Sequence, residues 1–138
     1  MLNYGYTVLR AMVSRAICGS GLHPTLGIFH SNSYNAFALS DDLMEPFRPL
    51  IDMIVRNLSL AGKNKIDAET KYHLTSVSTF DLEGDEGTSP LTLHINRFVH
   101  SLATSFETGR AKLVFPSLPT KHELLGLAAP ELLESEGS

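Results

Sequence analysis

Three apolar stripes with three-four spacing, each closed by a helix-stopping signal, predict a mainly α protein. The expected architecture is a compact multi-helix domain of four to five helices with room for a small β-hairpin. The stripes occupy residues 2–17, 43–58 and 91–106, and strand-like composition is confined to short runs near residues 77–81 and 111–116. With 138 residues, 43% hydrophobic and 19% charged, the chain suffices for one buried core and is too apolar for global disorder.

The first helix, residues 2–18, carries Leu2, Tyr6, Leu9, Val13, Ala16 and Ile17 on one face, and Gly19-Ser20-Gly21 stops it. Cys18 lies in this apolar pattern and is expected to pack. As the single cysteine it forms no intramolecular disulfide, which suits a reducing, cytoplasmic setting. Arg10 and Arg15 interrupt the run where a signal peptide needs continuity, and no stretch reaches the ~20 apolar residues of a membrane span. His23-Pro24 begins a turn, Leu26-Gly27-Ile28-Phe29 leads to His30, and residues 31–35 read as a polar loop.

A second helix is expected from Asp42 to Leu58, with Leu43, Phe47, Leu50, Ile51, Ile54 and Leu58 buried. Pro46 and Pro49 each remove a backbone donor, so its first turn is expected to be irregular. Residues 61–65 form a turn, and Asp67 caps a short helix ending near Leu74. Val77 to Asp81 reads as a short strand and residues 84–88 as a hairpin tip. Ser89-Pro90 reads as N-cap and first residue of the next helix, whose stripe is Leu91, Ile95, Phe98, Val99, Leu102 and Phe106, ended by Gly109. Residues 111–116 read as a last strand or extended segment. Residues 1–116 thus form one domain, and 117–138 a tail whose leucines either dock as helical turns or stay disordered.

The net charge of −4 is uneven. Residues 123–138 hold four glutamates and no Lys or Arg, whereas residues 1–40 hold Arg10, Arg15 and no carboxylate. The body balances and retains the capacity for a local basic face.

The residues with most chemistry are His30, Asp42 and Glu45. Imidazole nitrogen with carboxylate oxygens suits Mn²⁺ and, more weakly, Mg²⁺. Asp42 and Glu45 are three apart and share a face if helical. The same Asp42-x-x-Glu45 pattern also reads as a capping box before an apolar run. Arg10 and Tyr34 are candidates for DNA contact. Arg48 is a third, and it could also pair with Glu45 or Asp52. His94 and His100 are six apart, which is wrong for paired helical ligands, so both read as structural or surface residues. His23, His73 and His122 have no partner pattern. The chain has no internal repeat, phosphate-binding glycine loop, CxxC pair or Ser-His-Asp pattern.

Asn3-Tyr4-Gly5-Tyr6, Gly21-Leu22-x-Pro24-x-Leu26-Gly27-x-x-His30, Tyr34-Asn35-x-Phe37-x-Leu39 and Asp42-Leu43-Met44-Glu45-Pro46-Phe47-Arg48-Pro49 stand in series. That series resembles the C-terminal helical catalytic domain of the CRISPR-associated adaptation integrase, a metal-dependent DNA endonuclease, most nearly in its type II form. The likeness is dense over residues 2–55 and looser to about Phe115. It implies that His30 and Glu45 bind the metal, Mg²⁺ or Mn²⁺, with Asp42 supporting the site. It also implies joining of a DNA 3′-hydroxyl to a phosphodiester at the repeat boundary. The implied partners are double-stranded DNA (prespacer and CRISPR repeat), a second copy of the chain and a small CRISPR adaptation protein. The family's third principal ligand is a glutamate upstream of Asn3, and its N-terminal domain is β-rich; neither is in this sequence. The expectation is therefore an incomplete integrase: an isolated domain, a truncated reading frame or a gene remnant. The competing expectation is a non-catalytic DNA-binding or protein-interaction fragment.

Overall fold

Leu9, Val13 and Ile17 are completely buried along one side of the first helix, and the other helices gather on that stripe. The computed structural model describes residues 1–26, 35–85, 87–115 and 117. In chain order these form α1 (Leu2–Gly19), α2 (Ala38–Met44), a 3-10 turn (Glu45–Phe47), α3 (Arg48–Leu60) and α4 (Ala68–Thr75). A second 3-10 turn (Ser76–Thr79), β1 (Asp81–Gly84), β2 (Gly87–Pro90) and α5 (Leu91–Thr108) follow. The fold is mainly α with one small antiparallel hairpin, as the sequence predicts. Helix α1 packs against α2, α3, α4 and α5. The core joins its stripe to Leu39 and Leu43, to Phe47, Leu50 and Ile51, and to Leu91, Ile95, Phe98 and Val99. Phe47 and Phe98 meet edge-to-face, with ring centroids 5.9 Å apart. No described helix is long and apolar enough to cross a membrane.

The second expected helix begins earlier than its Asp-x-x-Glu pattern suggests and is broken in two. Helix α2 starts at Ala38, so Asp42 lies inside it and is not an N-cap; the capping-box reading fails. The prolines account for the break. Pro46 cannot donate to the Asp42 carbonyl four residues back, and Pro49 cannot donate to that of Glu45. The Arg48 N–H bonds the Glu45 carbonyl instead, a tighter i to i+3 bond that makes the turn 3-10. A true capping box stands at α4, where Asp67 accepts from the Thr70 N–H at 2.9 Å and the Thr70 hydroxyl faces the Asp67 N–H at 2.9 Å.

Other expectations are corrected. Residues 76–79 form a 3-10 turn and the strand starts only at Asp81. The hydroxyls of Thr75, Ser76, Ser78 and Thr79 all donate to carbonyls three or four residues back, which favours continued helical winding. Ser89 does not cap α5: it belongs to β2, and its hydroxyl lies 2.9 Å from His94 Nε2. The first α5 amide, Leu91 N–H, is satisfied by the Phe80 carbonyl at 2.8 Å. Leu2 and Phe106, at the outer ends of their helices, are exposed, and so is Cys18 on α1. Residues 111–115 pair with no strand; Lys112 and Val114 donate their N–H groups to the hydroxyls of Ser105 and Ser101 on α5. His94 is structural, as its spacing suggests. It is buried, and its Nε2 bonds the Leu82 carbonyl at 3.0 Å. The expected tail lies outside the described residues except for Ser117.

Gly5 sets how closely α1 approaches α3. A Cβ there would stand 2.5 Å from Ile51 Cγ2 and 3.4 Å from Leu74 Cδ2. That methyl branches directly from the Ile51 Cβ, and Ile51 is fully buried, so it has nowhere to turn. Gly5→Ala gains up to about 1 kcal/mol of helix propensity. It overpacks by about 1–3 kcal/mol. The clash wins, and a lowered urea midpoint with unchanged slope is the expected result.

The Asp67 carboxyl is held below its ordinary pKa, first by the Thr70 backbone N–H and also by the Thr70 hydroxyl. A lowered folded-state pKa means that its contribution is present above the ordinary carboxylate value and is lost as pH falls through the lowered one. Asp67→Ala should therefore lower Tm at pH 7. The gap from the parent protein should shrink as pH drops below about 4, as thermal melts across pH would show.

Candidate functional site

All seven residues of α2 are buried, including Ser40, Asp41 and Asp42. Burying consecutive carboxylates on one short helix is costly without compensation. For Asp41 the compensation is explicit. Arg10 of α1 donates from Nε and from its terminal nitrogen to Oδ1, each at 2.8 Å, and Asn35 Nδ2 donates to Oδ2 at 2.8 Å. The Arg10 guanidinium also lies 5.3 Å from the centre of the Phe37 ring. The Ser40 and Ser14 hydroxyls bond at 2.7 Å, a second polar tie between α1 and α2. Asp42 is only 8% exposed.

Glu45 follows at the start of the 3-10 turn, with its side chain 51% exposed, and Arg48 reaches it at 3.1 Å. The Arg48 guanidinium lies over the Tyr6 ring at 5.1 Å. The Tyr6 hydroxyl donates to Asp52 Oδ1. That bond, together with burial and the Asp52 charge, raises the Tyr6 pKa above its ordinary value. Of the alternatives for Arg48, pairing with Glu45 is the one observed.

Asp42 and Glu45 therefore come from adjoining elements on either side of the proline break, the first buried and the second half in solvent. Arg10 is committed to Asp41. His30 and Tyr34 lie outside the described residues. Among the described residues no group of three or more His, Cys, Asp or Glu side chains is arranged to hold a metal ion. The chemistry of the donors nonetheless fits a hard divalent cation: two carboxylates here, with a histidine in the sequence between α1 and α2.

The structure adds a basic groove. A cavity of about 710 Å³ runs between α5 and the segment after it, lined by Arg97, His100, Arg110 and Lys112 with Ser101 and Thr104. A neighbouring one of about 820 Å³ continues past Arg97 and His100 to Arg15 on α1. No described lining residue of either is a carboxylate. The sequence held only faint signs of this groove: the carboxylate-free first forty residues, and Arg97 and His100 three apart. Arg15 is five residues from Arg10, about 140° around the helix, so α1 sends one arginine to each side.

The fold thus combines two carboxylates at a broken helix with a cationic groove beside α5. The family model described as CRISPR associated protein Cas1 matches residues 1–78. Three similar proteins carry the name CRISPR-associated endonuclease Cas1. The one from Neisseria meningitidis serogroup C (strain 8013) is 34% identical over 113 residues, covering 80% of this chain and 37% of that protein. A Francisella tularensis subsp. novicida protein is 39% identical over 79 residues, covering 56% and 25%. One from Pyrobaculum aerophilum is 30% identical over 112 residues, covering 78% and 37%. The chain belongs to the CRISPR-associated Cas1 family, and it spans little more than a third of the length of these relatives at most.

The two arginine–carboxylate pairs differ in burial, and that sets their value. Arg10→Ala strands a carboxylate whose side chain is 9% exposed, whereas Arg48→Ala releases one that is 51% exposed. Removing one partner of a buried pair is costly, but Arg10 is itself 42% exposed and solvent screens part of the loss. Chemical denaturation should give about 2 kcal/mol for Arg10→Ala. It should give under about 1 kcal/mol for Arg48→Ala.

Proposed function

We propose that this chain is the helical catalytic portion of a CRISPR-associated DNA endonuclease and integrase that acts in spacer acquisition. The observation that carries the reading is the match of residues 1–78 to the Cas1 family model, in a chain whose relatives are named endonucleases and whose Asp42 and Glu45 lie on either side of the proline break. His30 and Glu45 would hold Mg²⁺ or Mn²⁺, with Asp42 beside them. Such a cation supplies charge stabilisation on phosphate oxygens and a more acidic attacking hydroxyl. Arg48 holds the Glu45 carboxylate in one orientation, a supporting contact of the kind that tunes metal affinity.

The reaction in this reading is a transesterification. A DNA 3′-hydroxyl forms a new P–O bond at the repeat boundary, one P–O bond breaks, and the displaced oxygen leaves with the proton. Arg15, Arg97, Arg110 and Lys112 offer phosphate contacts for the duplex, joined in this proposal by Tyr34. The acting assembly would be a homodimer seated on a small adaptation partner protein in the cytoplasm, with prespacer and repeat DNA bound. In this proposal Glu45 is one metal ligand, His30 a second, and Asp42 supports the site from beside them. A second reading rests on the basic groove beside α5: a fragment that binds DNA through it without cutting it.

Calorimetric titration of Mn²⁺ separates the two. The proposal expects one saturable site weakened at least tenfold by His30→Ala or Glu45→Gln, with strand transfer lost in the same variants. No saturable binding by the parent chain, with duplex binding retained, would leave the DNA-binding reading. In either case Arg97→Ala with Arg110→Ala should weaken duplex binding and lower the salt slope by up to about 0.9 for each phosphate no longer neutralised.

A further inference from the structure

We infer that Tyr6 is a positioning residue for Glu45 that acts through Arg48: its hydroxyl holds the competing Asp52 carboxylate, and its ring carries the guanidinium. The consequence for metal affinity rests on the metal-dependent reading above. The arrangement begins in the backbone. Gly5 lets α1 come so close to α3 that a Cβ at this position would meet Ile51 Cγ2 at 2.5 Å. The next residue on each helix completes the approach, with the Tyr6 hydroxyl donating to Asp52 Oδ1.

Arg48 stands between two carboxylates of its own stretch of chain, Glu45 three residues before it and Asp52 four residues after. Both spacings suit a helical ion pair. Of the two, Glu45 is the one paired, through Oε1 at 3.1 Å. Tyr6 accounts for the choice twice over. Its hydroxyl occupies Asp52, and the Arg48 guanidinium lies over its ring at 5.1 Å. Arg48 Nε is buried and, among the described residues, has no hydrogen-bond partner. A buried donor left unpaired is costly, and the Arg48 side chain is 35% exposed, so water lies within its reach. The guanidinium therefore does not stand where its own hydrogen bonding is best; it stands where the Tyr6 ring holds it. Because the pair engages Oε1 of Glu45, Oε2 is the oxygen it leaves for a cation.

The experiment uses the full chain and two readouts. One is Mn²⁺ affinity by calorimetry; the other is the Arg48 Nε–H signal in ¹H–¹⁵N NMR, identified by its loss in Arg48→Ala. Arg48→Ala should weaken Mn²⁺ binding about tenfold. Tyr6→Phe keeps the ring but frees Asp52, so it should cost part of that affinity and move the Nε–H signal. Adding Asp52→Asn removes the freed competitor and should bring both readouts back toward the parent values. Tyr6→Leu, which has no ring, should not be rescued in this way. In an Arg48→Ala background Tyr6→Phe should change Mn²⁺ affinity no further. A general loss of packing would give neither the rescue nor that silence. Unchanged readouts in Tyr6→Phe, or no recovery on adding Asp52→Asn, would overturn the inference. If the parent chain binds no Mn²⁺, the metal reading falls by itself, and the Nε–H signal with its rescue decides the role of Tyr6.

Discussion

The close seating of α1 against the other four described helices is the constraint on which the rest depends. It requires an unbroken stripe on α1, and Leu9, Val13 and Ile17 provide it with no exposed surface at all. It also requires a position where the neighbouring helix comes in too near for any side chain, and Gly5 against Ile51 provides that. Glycine is a poor helix former, so its presence early in an 18-residue helix makes sense only through this contact. With α1 fixed in this way, its flanks are free to carry polar groups to two sides of the molecule. Arg10 and Ser14 meet α2, and Arg15 meets the groove beside α5.

The carboxylates depend on a second constraint, the pair of prolines. In an uninterrupted helix Asp42 and Glu45 would stand on one face in similar surroundings. The forced 3-10 turn separates their environments, leaving Asp42 under cover and bringing Glu45 out to Arg48 and solvent. A buried acid next to a half-exposed one is a graded arrangement, in which a ligand can be approached from solvent at one end and held in a drier setting at the other. The proline break is thus what gives two carboxylates three residues apart different surroundings.

Much of the fold is legible in the sequence because its signals are local. The stripes of α1, α3 and α5, the Asp67 cap and the glycine that ends α5 all follow from residues within one or two turns of each other. The hairpin tip is read the same way. The failures are cases where a distant partner overrides a local preference. Ser89 has the chemistry of an N-cap, but His94 sits within reach of its hydroxyl and Phe80 satisfies the first amide of α5. Residues 76–79 have the composition of a strand, but four hydroxyls satisfy helical carbonyls. Asp42 resembles a cap because the start of α2 at Ala38 has no capping side chain to announce it. Within the site, Asp42 and Glu45 stand out by spacing and resemblance, while Asp41, the immediate neighbour, does not. Nothing in sequence says which of two adjacent aspartates will face an arginine thirty-one residues earlier. The groove is equally hidden, since Arg15, Arg97 and Arg110 meet only once the helices pack.

The charge balance makes the same point in electrostatic terms. A net charge of −4 argues against nucleic acid only if the charge is spread evenly, and here it is not. Four glutamates lie beyond residue 122, and Asp41 is neutralised on the spot by Arg10. The two cavities beside α5 are lined by Arg15, Arg97, Arg110 and Lys112 with no described carboxylate, while Asp85 lines an adjoining cavity that shares Arg97. At an ionic strength of about 0.15 M the field of these charges reaches about 8 Å, so charges further off hardly count. An acidic chain can therefore still present a cationic face, provided its carboxylates are buried against cations or lie elsewhere in the chain. The division of labour along α1, with Arg10 turned inward to an acid and Arg15 turned outward to the groove, is the smallest unit in which that arrangement can be seen.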